Sequence, residues 1–395
     1  MNVGARFRIL RSEAEIETVR KDWERWQQHP HSDLDFFLMI VKTRPEVISP
    51  YVLALYRDDV LHTLLVGRLE RAQYQLSVGY WRILGFPVRT LSFVYGGLLG
   101  DTSGENCATL LRGLAGCLKR ERAHLATLHF VKVGSPMHRA ACRMPRLLCH
   151  DYFDETQPHW VMKLPGDSEE IYKKMSPKAR QNRRYEMKRL FKTFPTARVE
   201  CFTEEADLDL VMEDAECIAR RTYQRGLGVG FFPDHGTRER LALEAARGRF
   251  RAYLLYLGDR PVAFFIGTLS RGVLYDNFTA YDPEYGNYSP GTVLFLQIFE
   301  RLCREGVEAV DFGFGGASYK AQFGNDRSDE TTVSVFAPTF IGVGLNLLRV
   351  PTAIVHRLGK AAVRNLTMFR SVKRQWRGRA QKRASARSNH ALPPR

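Results

Sequence analysis

The segment YSPGTVLFLQIFERL at residues 288–302 combines a helix start signal with the chemistry of an anion site. Ser289 can act as the N-cap, and Pro290 suits the first helical position. The first turn carries no Asp or Glu, although acidic residues usually gather at this electropositive end of a helix. Gly291 would let an anion approach the exposed N–H groups, so the segment predicts a pyrophosphate site; an ordinary capped helix is the alternative.

Two carboxylates in neighbouring segments could accept a proton from an amine or a hydroxyl. Asp276 lies inside a strand-like segment, where Asp is disfavoured, and this favours a side chain that faces a pocket. Asp311 follows in the segment VEAVDFGF. The alternative for Asp311 is a structural role, as an acid at a strand end that is hydrogen-bonded to the backbone. Asp276 and Asp311 are therefore the candidate general bases.

The elements that must position these residues follow one order in the second half of the chain. A strand at 197–203 precedes two helical segments. Three strands then occupy residues 249–282, with turns at Gly258-Asp259 and Arg271-Gly272, which predicts an antiparallel meander. The helix that begins near Ser289 follows, and then a strand, a short helix and a last strand.

The first half repeats this order more loosely, with a hairpin that turns at Arg57 to Asp59. The sequence therefore predicts an α/β (α+β) fold of two related halves, each a mixed, mostly antiparallel sheet flanked by helices. The predicted boundaries are residues 1–160, residues 161–338 with a leading basic helix at 170–192, and a basic amphipathic or disordered tail at 339–395.

The two halves differ at the matching helix start. In the first half Asp101 and Glu105 surround that position, and their charges would repel an anion. Only the second half keeps its helix start free of acids. We therefore expect one anion site, in the second half.

Bulk composition limits the function classes. The 395 residues are 44% hydrophobic and 26% charged, as in a globular protein of two or three domains. The net charge of +16 indicates an anionic partner. The seven cysteines are scattered and never spaced as metal ligands, so we expect no metal and a cytoplasmic location. No segment predicts a signal peptide or a membrane span.

Two basic segments are candidates for contact with that partner. Between Tyr172 and Lys192 many Lys and Arg stand against one acid, and helical spacing puts Arg180, Arg184 and Lys188 on one face. This face predicts a site for a phosphorylated acceptor, a lipid-linked sugar or an RNA backbone; a solvated helix is the alternative. The tail predicts either a basic amphipathic helix at a membrane surface or a solvated basic segment.

A family resemblance rests on the segment YDPEYGNYSPGTVLFLQIFERLCREGVEAVDFGFGGASYKAQFG. It resembles the FemAB/CelD-type, BioF2-like branch of the GNAT superfamily of acyl-CoA transferases. In that branch a Tyr-Asp-Pro-x-Tyr run leads into Tyr-Ser-Pro-Gly, and an Asp-Phe strand is followed by Tyr-Lys. The likeness is dense over residues 250–337 and looser elsewhere, and the Arg/Gln-x-x-Gly-x-Gly/Ala phosphate signature of ordinary GNAT enzymes is absent.

The resemblance implies two GNAT-like halves, with an acyl donor, usually acetyl-CoA, in the second. It implies that Tyr319 protonates the departing thiolate, and that Lys320 supports developing negative charge. The pantetheine arm would lie along the strand of Asp276 and Phe278. The implied pyrophosphate contacts are Ser289, Gly291 and Thr292, and Tyr288 and Phe278 complete the expected donor-binding residues. The residues expected to line the acceptor site are Tyr281, Tyr285, Arg180, Arg184 and Lys188.

The sequence thus predicts an acyl-CoA-dependent N- or O-acyltransferase, with acetyl as the expected group. The expected acceptor is an anionic glycan, lipid-linked or phosphorylated molecule related to the cell envelope or to polysaccharide synthesis. The basic tail adds a candidate contact with the inner face of the membrane. Two alternatives stay open: a Fem-type transferase that uses aminoacyl-tRNA for peptidoglycan cross-bridges, and a non-catalytic basic scaffold that binds membrane or nucleic acid.

Overall fold

The computed structural model describes residues 5–78, 81–143, 149–150, 156–226 and 228–364, and its contacts divide the chain into two units. The first unit contains the residues up to Pro158 and those from Ser328 to the end of the described chain. The second unit contains His159–Arg327. The chain therefore returns to the first unit after completing the second, whereas the boundaries predicted from the sequence assign the last strand to the second half.

The first unit is built on a mixed sheet in the strand order β1-β3-β4-β5-β6-β13, with β2 paired to β4. Its elements are β1 (Ala5–Leu10), α1 (Glu13–Glu17), α2 (Arg20–Trp26), α3 (Leu34–Thr43), β2 (Val47–Pro50), β3 (Val52–Arg57), β4 (Val60–Val78), β5 (Trp81–Gly100), α4 (Gly104–Arg120), β6 (Leu125–Lys132), α5 (Pro136–Cys142), β13 (Asp326–Phe336) and α13 (Phe340–Arg364). The pairing of β5 with β6 is parallel, and the other pairings in this sheet are antiparallel.

Short-range signals explain the predicted hairpin of the first unit. Asp58 and Asp59 both have positive φ, 48° and 57°, which suits the tight turn between β3 and β4.

Helix α4 covers one face of the sheet over a buried cluster that includes Leu111 and Leu114. Val333 and Val335 of β13 belong to the same cluster. The last strand is therefore part of the first unit's core.

The second unit has the strand order β7-β12-β11-β10-β9-β8. Its elements are β7 (Thr156–Lys163), α6 (Glu169–Lys174), α7 (Pro177–Thr193), β8 (Ala197–Phe202), α8 (Leu208–Ala219), α9 (Tyr223–Gly226), α10 (His235–Ala246), β9 (Phe250–Leu257), β10 (Arg260–Ser270), β11 (Val273–Tyr281), α11 (Pro290–Arg304), β12 (Ala309–Phe314) and α12 (Ser318–Phe323). Among the pairings of the described residues in this strand order, β11–β12 is parallel and the others are antiparallel.

The meander β9-β10-β11 turns where the sequence predicts. Gly258 has a φ of 64°, and Arg271 and Gly272 have φ values of 50° and 76°. Helix α11 packs on one face of the sheet through a buried cluster that includes Phe295 and Phe299, and α8 and α10 cover the other face. Both faces are thus buried, which explains the nearly continuous apolar run in β10.

The basic segment forms two helices where the sequence predicts one from 170 to 192. Helix α6 ends at Lys174, and α7 begins at Pro177 after Ser176, whose side chain accepts a hydrogen bond from the Ala179 amide. Pro177 cannot donate to the preceding turn, so it breaks the helix and starts a new one. Among the described residues, no helix combines the length and the apolar character needed to cross a bilayer.

Candidate active site

The parallel strands β11 and β12 separate in the middle of the second unit. Their register pairs Val273 with Ala309 and ends with Tyr275 opposite Asp311, although β11 continues to Tyr281. Both strands carry irregularities just beyond this point: the β10–β11 register shifts at Ile266/Gly267, and the β12–β7 register shifts at Asp311/Gly313. Such bulges bend and twist a strand. In the described chain, the β12-facing edge of β11 is therefore open from Asp276 onward.

Asp276 and Tyr319 meet beside this opening. Helix α12 carries Tyr319, whose hydroxyl donates a hydrogen bond of 2.9 Å to Oδ2 of Asp276. The Tyr319 ring stacks on Phe295 of α11 with ring centroids 5.3 Å apart, which fixes its orientation. Burial raises the pKa of Asp276 to about 6, although Lys320 and the Tyr319 hydroxyl act in the opposite direction. Burial and the neighbouring Asp276 raise the pKa of Tyr319, so its hydroxyl stays protonated at neutral pH.

Lys320 anchors the end of β12. Its Nζ donates hydrogen bonds of 2.5 Å to the carbonyl of Phe312 and 2.7 Å to the carbonyl of Phe314. An ammonium group has three N–H donors, and the third has no acceptor among the described residues. Burial lowers the pKa of Lys320, while Asp276 and Asp311 oppose that shift. Lys320 thus combines a structural role with one N–H that a ligand can use.

Asp311 is held by backbone and by a histidine. Its Oδ1 accepts a 2.7 Å hydrogen bond from the Gly313 amide and lies 2.6 Å from Nε2 of His159. Gly313 has a φ of 66° in the bulge of β12, so these bonds stabilise the irregular end of the strand. The structural explanation that the sequence leaves open for Asp311 agrees with this geometry. His159 was not identified from the sequence, because it lies on β7, far from the motifs.

The start of helix α11 has free backbone donors. Ser289 occupies the N-cap position, but its φ of 52° and ψ of 47° place it in the left-handed region, and its side chain does not cap the helix. Ser289 is therefore the N-cap residue, as the sequence predicts, but its hydroxyl does not cap the helix. The amides of Gly291 and Thr292 have no acceptor among the described residues, and both residues are partly exposed.

A carboxylate of the protein does approach this helix start. Ser289 Oγ donates a 3.1 Å hydrogen bond to Oε1 of Glu186 on α7, and Glu186 also pairs with Arg183. Glu186 contacts the Ser289 hydroxyl and not the amides of the first turn. It adds a negative charge next to the predicted pyrophosphate site.

Aromatic side chains surround the same helix start. Tyr281 lies so close to Gly291 that a Cβ there would be 3.2 Å from its ring. Tyr288 packs against Phe194, and the Arg189 guanidinium lies 5.0 Å from the Tyr288 ring centroid. Tyr285 packs against Phe194 and under Arg260.

Asp282 holds the loop that leads into α11. It is buried, accepts a hydrogen bond from the Glu284 amide and pairs with Arg221 at 2.6 Å. Asp282 was not among the predicted site residues, although it is the Asp of the Tyr-Asp-Pro-x-Tyr run. That motif is the signal that could have identified it.

Several predicted site residues lie elsewhere. Phe278 contacts Phe231, in the cluster under α8 and α10, on the face opposite α11. Arg180 donates to the carbonyls of Tyr172 and Lys173 at the end of α6, and Arg184 pairs with Glu169. Lys188 is exposed on α7 and has no ion pair with a described residue. The structure therefore brings Asp276, Tyr319 and Lys320 together, but not these four residues.

The first unit shows the same strand separation without a free helix start. Strands β5 and β6 pair in parallel only as far as Phe93 and Leu128. At the start of α4, Asp101 accepts from the Ser103 amide, and Glu105 pairs with Arg57. These carboxylates make this end of α4 unfavourable for an anion, as the sequence predicts.

Comparison with known proteins finds a family match within the second unit. Residues 177–321 match the family model for the acetyltransferase (GNAT) domain. The chain contains a GNAT-type acetyltransferase domain. No curated protein matches the sequence.

Solved structures extend the likeness to most of the chain. The crystal structure of FemX shares 11% identity, with a TM-score of 0.52, over 78% of this chain and 94% of FemX. A tandem GNAT protein from the clavulanic acid biosynthesis pathway shares 11% identity, with a TM-score of 0.50, over 85% of this chain and 99% of its own. At such identities the likeness shows the fold. The predicted FemAB-type fold with two GNAT-like halves is confirmed.

Proposed function

We propose that this GNAT protein is an acyl-CoA-dependent N- or O-acyltransferase, with acetyl-CoA as its donor. The observation that carries the proposal is the coincidence, in one unit, of an open strand edge, a helix start with free amides, and the cluster of Asp276, Tyr319 and Lys320. The amides of Gly291 and Thr292 suit a pyrophosphate, and the open edge of β11 offers backbone groups to the amide-containing pantetheine arm. An acyl-CoA molecule has both parts.

The side chains at the strand separation can move the required proton. As an amine or hydroxyl attacks the thioester carbonyl, the Asp276 carboxylate accepts its proton. The Tyr319 hydroxyl, which already donates to Asp276, gives its proton to the departing thiolate and recovers one from Asp276. The third N–H of Lys320 stabilises negative charge on the carbonyl oxygen. The nucleophile's proton thus ends on the thiol of CoA.

An anionic acceptor is supported by the cations of α6 and α7. Arg180, Arg183 and Arg184 are engaged within the protein. The lysines keep their charge available: exposed side chains without an ion pair to a described residue are Lys173, Lys174, Lys178, Lys188 and Lys192. We propose that these lysines, rather than Arg180 and Arg184, attract an anionic glycan, lipid-linked or phosphorylated acceptor.

The same basic helices favour a second candidate donor, an aminoacyl-tRNA, as in a Fem-type transferase. The two donors are separated by measuring acetyl-CoA binding by calorimetry beside filter binding of aminoacyl-tRNA. Micromolar or tighter acetyl-CoA binding, with CoA release when an acceptor is added, supports the first proposal. Saturable tRNA binding without acetyl-CoA binding supports the second. Mass spectrometry of CoA species that co-purify with the protein is an independent check.

A further inference from the structure

The C-terminal helix α13 exposes a continuous apolar stripe. Its exposed apolar side chains repeat every seven residues, and each is between 44% and 100% exposed: Phe340, Ile341, Leu347, Leu348, Ile354 and Val355. A seven-residue repeat keeps side chains on one face of a helix. Six large apolar side chains on one face are more than scattered surface residues explain.

The opposite face of α13 is fixed to the first unit. Leu345 is buried in a cluster with Phe336 and Val88, and the Asn346 side chain donates to the His150 carbonyl at 2.9 Å. The orientation of the helix is therefore set by packing. The stripe faces outward because the other face is already occupied.

The sequence that contains and follows the stripe carries charge of one sign. After Glu330 the sequence has no Asp or Glu, and it has 13 Lys and Arg. An apolar face combined with a cationic flank fits the interface of an anionic bilayer, where apolar side chains enter the acyl region and cations meet lipid phosphates. A nucleic acid would satisfy the cations but offers no apolar phase to the stripe.

We propose that the α13 stripe is a docking surface for anionic phospholipid membranes. The helix lies in the plane of the interface, with the stripe immersed and the basic residues of the C-terminal region at the headgroups. This surface goes beyond the proposed transfer reaction and does not depend on the donor site.

The test is co-sedimentation of the full chain with vesicles of phosphatidylcholine alone and of phosphatidylcholine with 30% phosphatidylglycerol, a composition of roughly the anionic content to which polybasic segments respond. We expect binding to the anionic vesicles, weaker binding at high salt, and little binding to the neutral ones. The variant Ile341→Ser/Leu348→Ser should bind anionic vesicles at least about tenfold less tightly, because it removes two of the immersed side chains.

A matched control is Val60→Ser/Leu210→Ser, which removes two comparably exposed apolar side chains outside α13. It should bind vesicles like the wild type. The proposal is overturned by wild-type binding that is equal on neutral and anionic vesicles, by no vesicle binding at all, or by binding that the stripe variant leaves unchanged. Thermal unfolding and acetyl-CoA calorimetry on the same variants separate misfolding and a failed donor site from a failed membrane surface.

Discussion

A carboxyl group and a tyrosine hydroxyl in contact are the smallest unit of the proposed chemistry. Burial at the strand separation raises the pKa of Asp276 to about 6, so its carboxylate predominates at neutral pH and is still basic enough to accept a proton. The Tyr319 ring is positioned by its stack on Phe295, and this packing does not depend on the hydroxyl oxygen. Chemistry and packing at these two residues can therefore be tested separately.

Asp276→Asn should remove the base while keeping the shape of the side chain. The wild-type rate should rise with pH through about 6, as Asp276 loses its proton, and then level off. The variant should lose about 10²- to 10⁴-fold in kcat/KM and lack this acidic limb. Steady-state kinetics from pH 5 to pH 8 measure both effects. Asp259→Asn, in the exposed turn between β9 and β10, is the control. An unchanged pH–rate profile in Asp276→Asn would exclude Asp276 as the general base.

Tyr319→Phe should lower kcat about 100-fold or more and leave donor affinity unchanged, because the ring stays and the proton donor is lost. The hydrogen bond from Tyr319 lowers the pKa of Asp276, so the acidic limb of the residual activity should move to higher pH. Kinetics and calorimetry on one preparation measure both. Tyr185→Phe, an exposed tyrosine of α7, is the control. A wild-type kcat in Tyr319→Phe would contradict the proposed proton transfer from Tyr319 to the thiolate.

At the scale of elements, the site depends on where strands separate and where a helix begins. The sequence predicts the meander, the start of α11 and the acidic start of α4, because these depend on turn residues and local charge. The two helices at 169–193 follow from Pro177. The conformation of Ser289 and the hydrogen bond that it donates to Glu186 could not be predicted from the sequence, because they arise where α7 packs against the start of α11.

Glu186→Gln should tighten donor binding. The change removes one negative charge near the proposed pyrophosphate and keeps a side chain that can accept from Ser289 Oγ. We expect about a two- to fivefold lower Kd for acetyl-CoA, the size of a partly exposed charge interaction, and a smaller gain at high salt. Calorimetry at two salt concentrations measures it. Glu169→Gln, which also removes an acid paired with an arginine of α7, should change the Kd less.

At the scale of the whole molecule, each unit takes a strand that sequence order alone assigns elsewhere. Strand β7 follows the first half but pairs with β12, and β13 follows the second half but pairs with β6. The sequence predicts β13 as a strand, but it does not predict β7. The pairing partner of β13 could not be predicted, because pairing with β6 depends on contacts far apart in the chain. This is why the predicted second half, which ends at 338, includes a strand that the contacts assign to the first unit, whereas the predicted boundary at 160 lies close to Pro158.

A fragment of residues 1–160 should therefore fail to fold cooperatively. It lacks β13, so the β6 edge and the apolar residues that contact Val333 and Val335 are exposed. We expect a non-cooperative thermal transition by circular dichroism, compared with a sharp transition for the full chain. A fragment of residues 1–160 that melts as sharply as the full chain would show that β13 is dispensable for this core.

The central claim is that the start of α11 binds the diphosphate of an acyl-CoA donor. Calorimetry of acetyl-CoA with Gly291→Glu tests it most directly, with Gly104→Glu at the start of α4 as the matched control, because a Cβ at Gly104 meets nothing within 4 Å. We predict at least about 100-fold weaker acetyl-CoA binding in Gly291→Glu, because the new carboxylate repels the diphosphate and keeps it from the backbone amides, so that its charge-assisted hydrogen bonds are lost as well. We predict wild-type affinity in Gly104→Glu. Equal acetyl-CoA affinity in wild type and a folded Gly291→Glu variant would contradict the account.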